Sequence, residues 1–338
     1  MKVSRLQRIT RSKIFQLVVI AAIIVVITTI IKPGSYNKPN IRQILNTVTI
    51  NALFVCGVAP LLMAGGIDWA GSAIGTGSLM VFAALLAKFP SVPWGVMLIP
   101  MMLTGAIIGF VNSLFIIRLK LVAFIATMAM STVLGGFTTW ANKGVSIQIT
   151  NKSFTNLSAT FLFDTIPVFF IFALIMCFLY SQLLIRTTFG RSIMMVGGNQ
   201  VAARLAGLNP DKIRTILYIN SGVIASLGGM IWGAQNRMST ATALSTTTPH
   251  MAAFLGSMLG GVSFWGGAGS LAGGVVGVAL VQLLSYSLQM MSVPTWVFGL
   301  INGSLLIVAL TIDDVSRRLR LRKLGVKDGV KGAVMPGM

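Results

Sequence analysis

The sequence contains no glutamate, one histidine and two cysteines, and only 9% of its 338 residues are charged. An average soluble domain carries roughly 25% charged residues, so this chain cannot cover a water-soluble surface. No His/Cys cluster has ligand spacing, and no nucleophile stands with an acid–base partner. The single His250 follows Pro249 in a predicted outer loop, where we expect it to be solvated. The sequence therefore predicts no active site, metal or cofactor.

A phosphate-binding loop of the form G-x-x-x-x-G-K-[ST] is also missing. Backbone amides of such a loop cradle the phosphates of ATP. If ATP hydrolysis drives this protein, another polypeptide must supply the nucleotide site.

Apolar stretches of spanning length recur along the chain instead. A bilayer core of about 30 Å needs roughly 20 helical residues per crossing. Ten stretches qualify, and Gly and Ser interrupt the third and the eighth: 14–31, 44–64, 72–90, 95–117, 121–140, 166–185, 216–234, 251–264, 271–290 and 294–312. We predict an all-α integral membrane protein with about ten transmembrane helices.

The 26 basic residues fix the orientation. With a cytoplasmic N-terminus, 19 of them fall on the inner side and seven on the outer side. This bias follows the positive-inside rule and predicts both termini in the cytoplasm of a bacterium, with the chain multi-pass in the inner membrane. The net charge of +20 therefore indicates contact with membrane lipid and not with nucleic acid. We divide the chain into a permease domain, 1–314, and a basic cytoplasmic tail, 315–338.

Two connections are longer than turns. The outer stretch 141–165 could pack as a cap, and the inner stretch 186–215 carries five basic residues on a cytoplasmic surface. Glycines spaced by four, Gly105 with Gly109 and Gly273 with Gly277, lie in helices of opposite direction. They fit either an inverted repeat or ordinary small-residue helix packing.

Asp68, in Gly65-Gly66-Ile67-Asp68-Trp69, is the acidic residue placed where apolar spans meet. A buried carboxylate in a membrane is costly and usually faces a cavity or a partner. Three roles stay open: capping the next helix at Gly71 and Ser72 within a gate, direct contact with solute, and an exposed interfacial position.

The segment 256–277 contains nine glycines in 22 residues. Gly260 and Gly261 are candidates for a helix break that borders a water-filled path. Tight packing without any role in a path is the alternative.

Several motifs, in order over nearly the whole chain, are similar to those of one family. They are Gly65-Gly66-Ile67-Asp68, Val111-Asn112-Ser113-Leu114, Phe124-Ile125-Ala126-Thr127, Thr188-Phe189-Gly190-Arg191, Val196-Gly197-Gly198-Asn199, Ala202-Ala203-Arg204-Leu205-Ala206-Gly207-Leu208, Ser221-Gly222 and Leu259-Gly260-Gly261-Val262-Ser263. The chain resembles the membrane subunits of ribose-type ABC importers, in the branched-chain amino acid and monosaccharide permease superfamily.

The resemblance implies a translocation path for a monosaccharide or a similar small polar solute. It implies three kinds of partner: a cytoplasmic ABC ATPase, a second permease subunit, and an extracytoplasmic solute-binding protein. It also implies a coupling helix that docks on the ATPase, formed by Gly197, Gly198, Asn199, Ala202, Ala203, Arg204, Leu205 and Gly207. Candidate residues of the path or its gate are Gly65, Gly66, Asp68, Asn112, Gly260 and Gly261.

Two departures from the family pattern leave the solute open. Trp69-Ala70 follows Asp68 where the sugar branch has Leu-Ser, and Thr248-Pro249-His250 stands where an acidic residue is common. The alternative function is an ion-coupled secondary transporter without an ATPase. Such a transporter normally needs buried ionisable residues, and Asp68 is the one candidate in the sequence.

Overall fold

The computed structural model describes residues 13–245 and 249–323 of the chain. These ranges hold thirteen α-helices: α1 (Lys13–Ile31), α2 (Lys38–Met63), α3 (Gly71–Lys88), α4 (Trp94–Ser113), α5 (Ala123–Ala141), α6 (Lys152–Ala159), α7 (Val168–Arg186), α8 (Thr188–Gly198), α9 (Gln200–Leu205), α10 (Pro210–Asn236), α11 (Pro249–Leu259), α12 (Leu271–Met290) and α13 (Thr295–Lys323). A π-helical turn, Leu114–Arg118, extends α4. Four two-residue strands complete the described structure: β1 (Ile147–Gln148), β2 (Phe161–Leu162), β3 (Ile166–Pro167) and β4 (Met238–Ser239).

Within the described ranges, nine helices are long and apolar enough to cross a membrane. They match nine of the ten predicted stretches and confirm the all-α membrane fold. The eighth stretch, 251–264, needs correction, because it holds only the 11-residue α11. At a rise of 1.5 Å per residue this helix is about 16 Å long, roughly half of a bilayer core.

The chain around α11 makes a broken crossing. Before it, Ala243 and Leu244 are fully buried, and the Leu244 amide donates a 3.2 Å hydrogen bond to the hydroxyl of Thr76 on α3. After it, α12 starts and runs antiparallel to α11, with Gly273 against Gly260 and Gly277 against Gly256. The described residues 240–245 before α11 are non-helical, whereas α11 is helical, and the even number of crossings stays a prediction.

The central helices are α2 and α10, which are buried over most of their length, whereas α1 and α13 are largely exposed. Asn209 caps α10 by accepting the amide of Lys212, and Pro210 fits the first helical position. Glycines let helices approach closely: a Cβ at Gly105 would overlap the Gly222 carbonyl, and one at Gly109 would overlap the Tyr218 carbonyl. The two glycine pairs noted in the sequence thus serve helix packing, and the inverted repeat stays a hypothesis.

The outer stretch 141–165 packs as a cap. Strand β1 pairs with β4, and β2 pairs with β3, both antiparallel. On α6, Phe154 is fully buried, with its ring 5.0 Å from that of Phe82 and 5.6 Å from that of Trp94. This layer covers the outer ends of α3, α4 and α10.

At the other end of the chain, residues 315–323 of the predicted cytoplasmic tail continue α13. The rest of that tail, 324–338, lies outside the described residues.

Candidate functional site

Residues 64–70, which we term the Asp68 loop, connect α2 to α3 as buried non-helical backbone. Asp68 is 4% exposed. One carboxylate oxygen accepts the amide of Ala70 at 2.9 Å, and the other accepts the hydroxyl of Ser221 at 2.7 Å. Asp68 therefore closes a short turn before α3 and ties it to α10. The exposed interfacial position is excluded. The predicted cap at Gly71 and Ser72 needs correction, because Ala70 is the N-cap of α3 without a side-chain hydrogen bond and Asp68 accepts the amide of Ala70 within the loop before it.

Two further bonds hold the Asp68 loop from different helices. The hydroxyl of Tyr218 on α10 donates to the carbonyl of Ile67 at 3.0 Å, and the Trp69 amide donates to the hydroxyl of Thr127 on α5 at 2.9 Å. Irregular backbone is tolerated at membrane depth only where protein satisfies its polar groups or where it lines a cavity. Here side chains of α5 and α10 satisfy it.

The depth of the Asp68 loop in the membrane follows from the position along α10 of its partner Ser221. Ser221 lies eleven residues beyond Pro210, which corresponds to about 16 Å above the inner end of the helix. Helix α3 therefore starts near the middle of the membrane and runs outward. Helix α11 starts beside it and runs inward, because His250 in its first turn lies against Gly71. Two helix N-termini thus meet at mid-depth, and the positive ends of their dipoles favour the negative charge of Asp68.

The position of His250 corrects the prediction of a solvated loop residue. His250 is buried, and its ring centroid lies 6.0 Å from that of Trp69 and 6.2 Å from that of Phe54. Trp69 is half-buried and also contacts Phe124 on α5, with centroids 5.5 Å apart, and Phe254 on α11, with centroids 6.1 Å apart. Aromatic rings thus surround the junction of α3 and the half-length helix α11.

A second set of contacts joins the start of the Asp68 loop to α8 on the cytoplasmic side. The Gly267 amide donates a 2.8 Å hydrogen bond to the Met63 carbonyl at the end of α2. A Cβ at Gly197 on α8 would overlap that carbonyl, and one at Gly266 would lie 2.9 Å from both the Gly65 amide and the Gly197 carbonyl. We term this contact of Met63, Gly65, Gly197, Gly266 and Gly267 the glycine junction.

The inner segment, α8 with α9, has one packed side and one exposed side. Ile193, Val196 and Ala203 are buried against the membrane helices. Leu205, by contrast, is 85% exposed and Val201 is also exposed. Asn199 caps α9 by accepting the amide of Ala202 at 3.0 Å. An ordered apolar surface therefore faces the inner side and has no cover within the described chain.

Arg204 and Gly207 complete the end of this segment. The Arg204 guanidinium lies 3.4 Å from the carboxylate of Asp211 at the start of α10, and both side chains are more than half exposed. Such a surface ion pair contributes at most about 1 kcal/mol. Gly207 has a φ of +81°, so the chain turns there through a conformation that favours glycine.

The remaining predicted path residues lie in two separate places. Asn112 on α4 is fully buried, and neither atom of its amide has a described hydrogen-bond partner. Gly260 packs against Gly273, and Gly261 lies under the aliphatic side chain of Lys13 with a φ of +94°. The loop after Gly261 is tied to α13, because an oxygen of Asp313 accepts both the Ser263 hydroxyl and the Phe264 amide at 3.0 Å.

Sequence reasoning missed part of this arrangement. Ser221 was visible only as a motif match, and Trp69 only as a departure from the family pattern. Tyr218, Asp313 and the partners of Gly197 carried no signal, because the contacts that define their roles join residues 49 to 151 positions apart in the chain.

Comparison with known proteins places this architecture in a family. A family model described as branched-chain amino acid transport system / permease component matches residues 40–310. The galactose/methyl galactoside import permease protein of Haemophilus influenzae is 29% identical over 300 residues, 84% of this chain and 88% of the relative. The L-arabinose ABC transporter permease protein of Azospirillum brasilense is 27% identical over 317 residues, 92% of each chain.

The ribose import permease protein of Escherichia coli K12 is 28% identical over 303 residues, 86% of this chain and 91% of the relative. No solved structure matches the chain. With the match covering most of the chain and with spanning helices throughout, this multi-pass bacterial inner-membrane protein is a transport subunit that belongs to the branched-chain amino acid transport system / permease component family of ABC importers.

Proposed function

We propose that the chain forms the translocation path for a monosaccharide in an ATP-driven importer. Support comes from relatives named as permeases for galactose, arabinose and ribose, which the chain matches over most of their length. The half-buried Trp69 among aromatic rings at mid-depth adds to this, because a flat aromatic face suits the apolar side of a sugar ring. The sugar itself is delivered by an extracytoplasmic binding protein.

The exposed apolar side of α9 carries the proposal. Leu205 and Val201 are exposed on a short helix whose other side is packed against the membrane helices. Exposed apolar side chains of this kind indicate a surface that docks into a groove of a partner protein. We assign the ATPase-docking role to the inner segment as predicted, through Gly197, Gly198, Asn199, Ala202, Ala203, Arg204, Leu205 and Gly207. Leu205 and Arg204 make the contacts, whereas Ala203 and Gly197 fix the segment to the membrane helices.

Motion of the ATPase reaches the path through the glycine junction. Gly197 leaves no space between α8 and the Met63 carbonyl, so a displacement of α8 must shift the end of α2 or the Gly267 loop. Both segments lead to mid-depth, one through the Asp68 loop and the other through α11. Closely packed backbones transmit such a shift because protein interiors compress little.

Within the path, Gly65, Gly66, Gly260 and Gly261 act as hinges or close contacts around the inner end of α2 and the half-length helix α11. Asp68 positions the gate and does not bind solute, because both of its oxygens are engaged. Asn112 is the candidate for solute or water contact, since its amide has no described protein partner. A second permease subunit completes the path between two chains.

An ion-coupled transporter working alone is disfavoured. It would require an ionisable residue free to bind and release the coupling ion. Asp68 is held by Ser221 and by the Ala70 amide, and the family of the chain consists of importer permeases.

The test is reconstitution. The chain is co-expressed with its ATPase, purified and placed in proteoliposomes with the cognate binding protein, and uptake of labelled ribose, galactose and arabinose is measured with and without ATP. We expect ATP-dependent uptake of one of them. Uptake driven by an ion gradient without ATP would overturn the proposal.

Two variants test the docking surface in the same assay. Leu205→Asp and Arg204→Asp should insert normally but lose ATP-dependent uptake by at least about tenfold, since a buried unpaired charge at an interface costs several kcal/mol. Phe163→Asp is the matched control, because Phe163 is 82% exposed on the opposite side of the membrane. Normal uptake by Leu205→Asp would exclude the assigned surface.

A further inference from the structure

A cavity of about 390 Å³ lies on the inner side, away from the Asp68 loop and the glycine junction. Its walls come from the inner end of α4 with the π-helical turn and from the first turns of α10. The π-turn closes with the Leu119 amide donating to the Leu114 carbonyl at 3.2 Å. Such turns within α-helices frequently occur at functional sites.

One end of the cavity is cationic. Arg118 and Lys212 line it and are exposed, and no described carboxylate forms an ion pair with either. Asp211 also lines the cavity, but its carboxylate is paired with Arg204. The first turn of the 27-residue α10 adds the positive end of a helix dipole. The balance of charge at this end therefore favours an anion.

The other end of the cavity is apolar. Phe110, Leu114 and Ile117 form it, and the first two are 44% and 37% exposed. Phe110 precedes Arg118 by eight residues, which places it about 12 Å deeper along the helix. Since Arg118 lies at the inner boundary of the membrane, Phe110 faces the hydrocarbon region.

A ligand that fits both ends carries a phosphate beside an acyl chain. We propose that this cavity binds an anionic diacyl phospholipid of the inner leaflet, with its phosphate at Arg118 and Lys212 and an acyl chain along Phe110 and Leu114. Basic pockets between transmembrane helices on the cytoplasmic side bind anionic lipid headgroups in this way. A free phosphate or a nucleotide would satisfy the cations but leave the apolar wall uncovered.

The place of the cavity gives the lipid a further role. Asp211 belongs both to the cavity wall and to the ion pair with Arg204 at the end of α9. A lipid phosphate next to Asp211 repels the Asp211 carboxylate. The phosphate also competes with that carboxylate for the basic side chains nearby. The bound lipid therefore sets the position of the start of α10 relative to the inner segment.

Native mass spectrometry of the detergent-purified chain tests the binding. Dioleoyl phosphatidylglycerol is titrated against the wild type, the variant Arg118→Gln/Lys212→Gln and the control variant Arg186→Gln/Arg191→Gln. The control loses the same charge from exposed inner residues outside the cavity. We expect the affinity of the first retained lipid to fall at least about tenfold in the cavity variant, because each basic residue near a lipid surface contributes about 1 kcal/mol. In the control it should stay within about twofold.

Two probes separate the lipid from other phosphates. Dioleoyl phosphatidylcholine should bind at least about tenfold more weakly than the glycerol lipid, and inorganic phosphate at millimolar concentration should not displace the bound lipid. Equal losses in both double variants, equal affinity for the two lipids, or displacement by inorganic phosphate would each overturn the proposal. Thermal unfolding of both variants in detergent, measured in parallel, shows that the variants compared are folded.

Discussion

Ser221 donates a 2.7 Å hydrogen bond to the buried carboxylate of Asp68, joining the middle of α10 to a break between α2 and α3. The bond fixes the point where α3 begins at mid-depth. It also gives a buried charge the partner that it requires in a membrane. The same carboxylate holds the Ala70 amide, so a single side chain closes the turn and anchors it.

The role of Asp68 as an anchor predicts different effects for two substitutions. Asn can accept the Ala70 amide and donate to Ser221, so Asp68→Asn should keep the melting temperature within a few degrees and retain uptake. Ala leaves both groups unpaired, at about 1–3 kcal/mol each, and should lower the melting temperature in detergent and reduce uptake. Full loss of uptake by a folded Asp68→Asn would show that the charge itself acts in transport.

The glycine junction predicts opposite outcomes for two neighbouring glycines. A Cβ at Gly197 would overlap the Met63 carbonyl and lie 2.6 Å from the Gly267 amide, whereas a Cβ at Gly198 would lie 3.9 Å from the Cα of Gly267. Gly197→Ala should destabilise the chain by about 2–4 kcal/mol through overpacking and a lost hydrogen bond. Gly198→Ala should stay within about 1 kcal/mol. Thermal unfolding in detergent measures both, and equal effects would contradict the close contact.

The predicted location of Leu205 on the inner side of the membrane and of Phe163 on the outer side gives a third prediction. In a Cys56→Ala/Cys177→Ala background, Leu205→Cys should react with a membrane-impermeant maleimide only after cells are permeabilised. Phe163→Cys, of similar exposure, should react in intact cells. Labelling of position 205 in intact cells would place the inner segment on the wrong side and refute the proposed ATPase contact.

Two adjacent aspartates on α13 provide a fourth test. Asp313 accepts hydrogen bonds from Ser263 and Phe264, whereas Asp314 pairs with the exposed Arg318 at 2.7 Å. Asp313→Ala should cost about 1–3 kcal/mol, since it leaves a half-buried amide unpaired, and should speed proteolysis within 260–270. Asp314→Ala removes a surface ion pair and should change stability by less than about 1 kcal/mol. Similar proteolysis of the two variants would show that Asp313 does not hold the loop.

The sequence by itself determined the fold class, nine of the ten crossings and the family, and it predicts the orientation. Those properties depend on local composition: a run of about 20 apolar residues predicts a span, and basic residues beside it predict the side. The motif at 197–208 likewise identified the inner segment, although its predicted docking role awaits experiment.

The tertiary structure decided how α3 and the half-length helix α11 are arranged. Hydropathy could not separate a spanning helix from α11 with its glycine-rich exit, because both are apolar over a similar length. It also predicted His250 in solvent, since the rings that bury it, Trp69 and Phe54, lie on distant segments. Hydrogen bonds between helices, such as that from Ser221 to Asp68, depend on which faces meet, and only packing in three dimensions sets that.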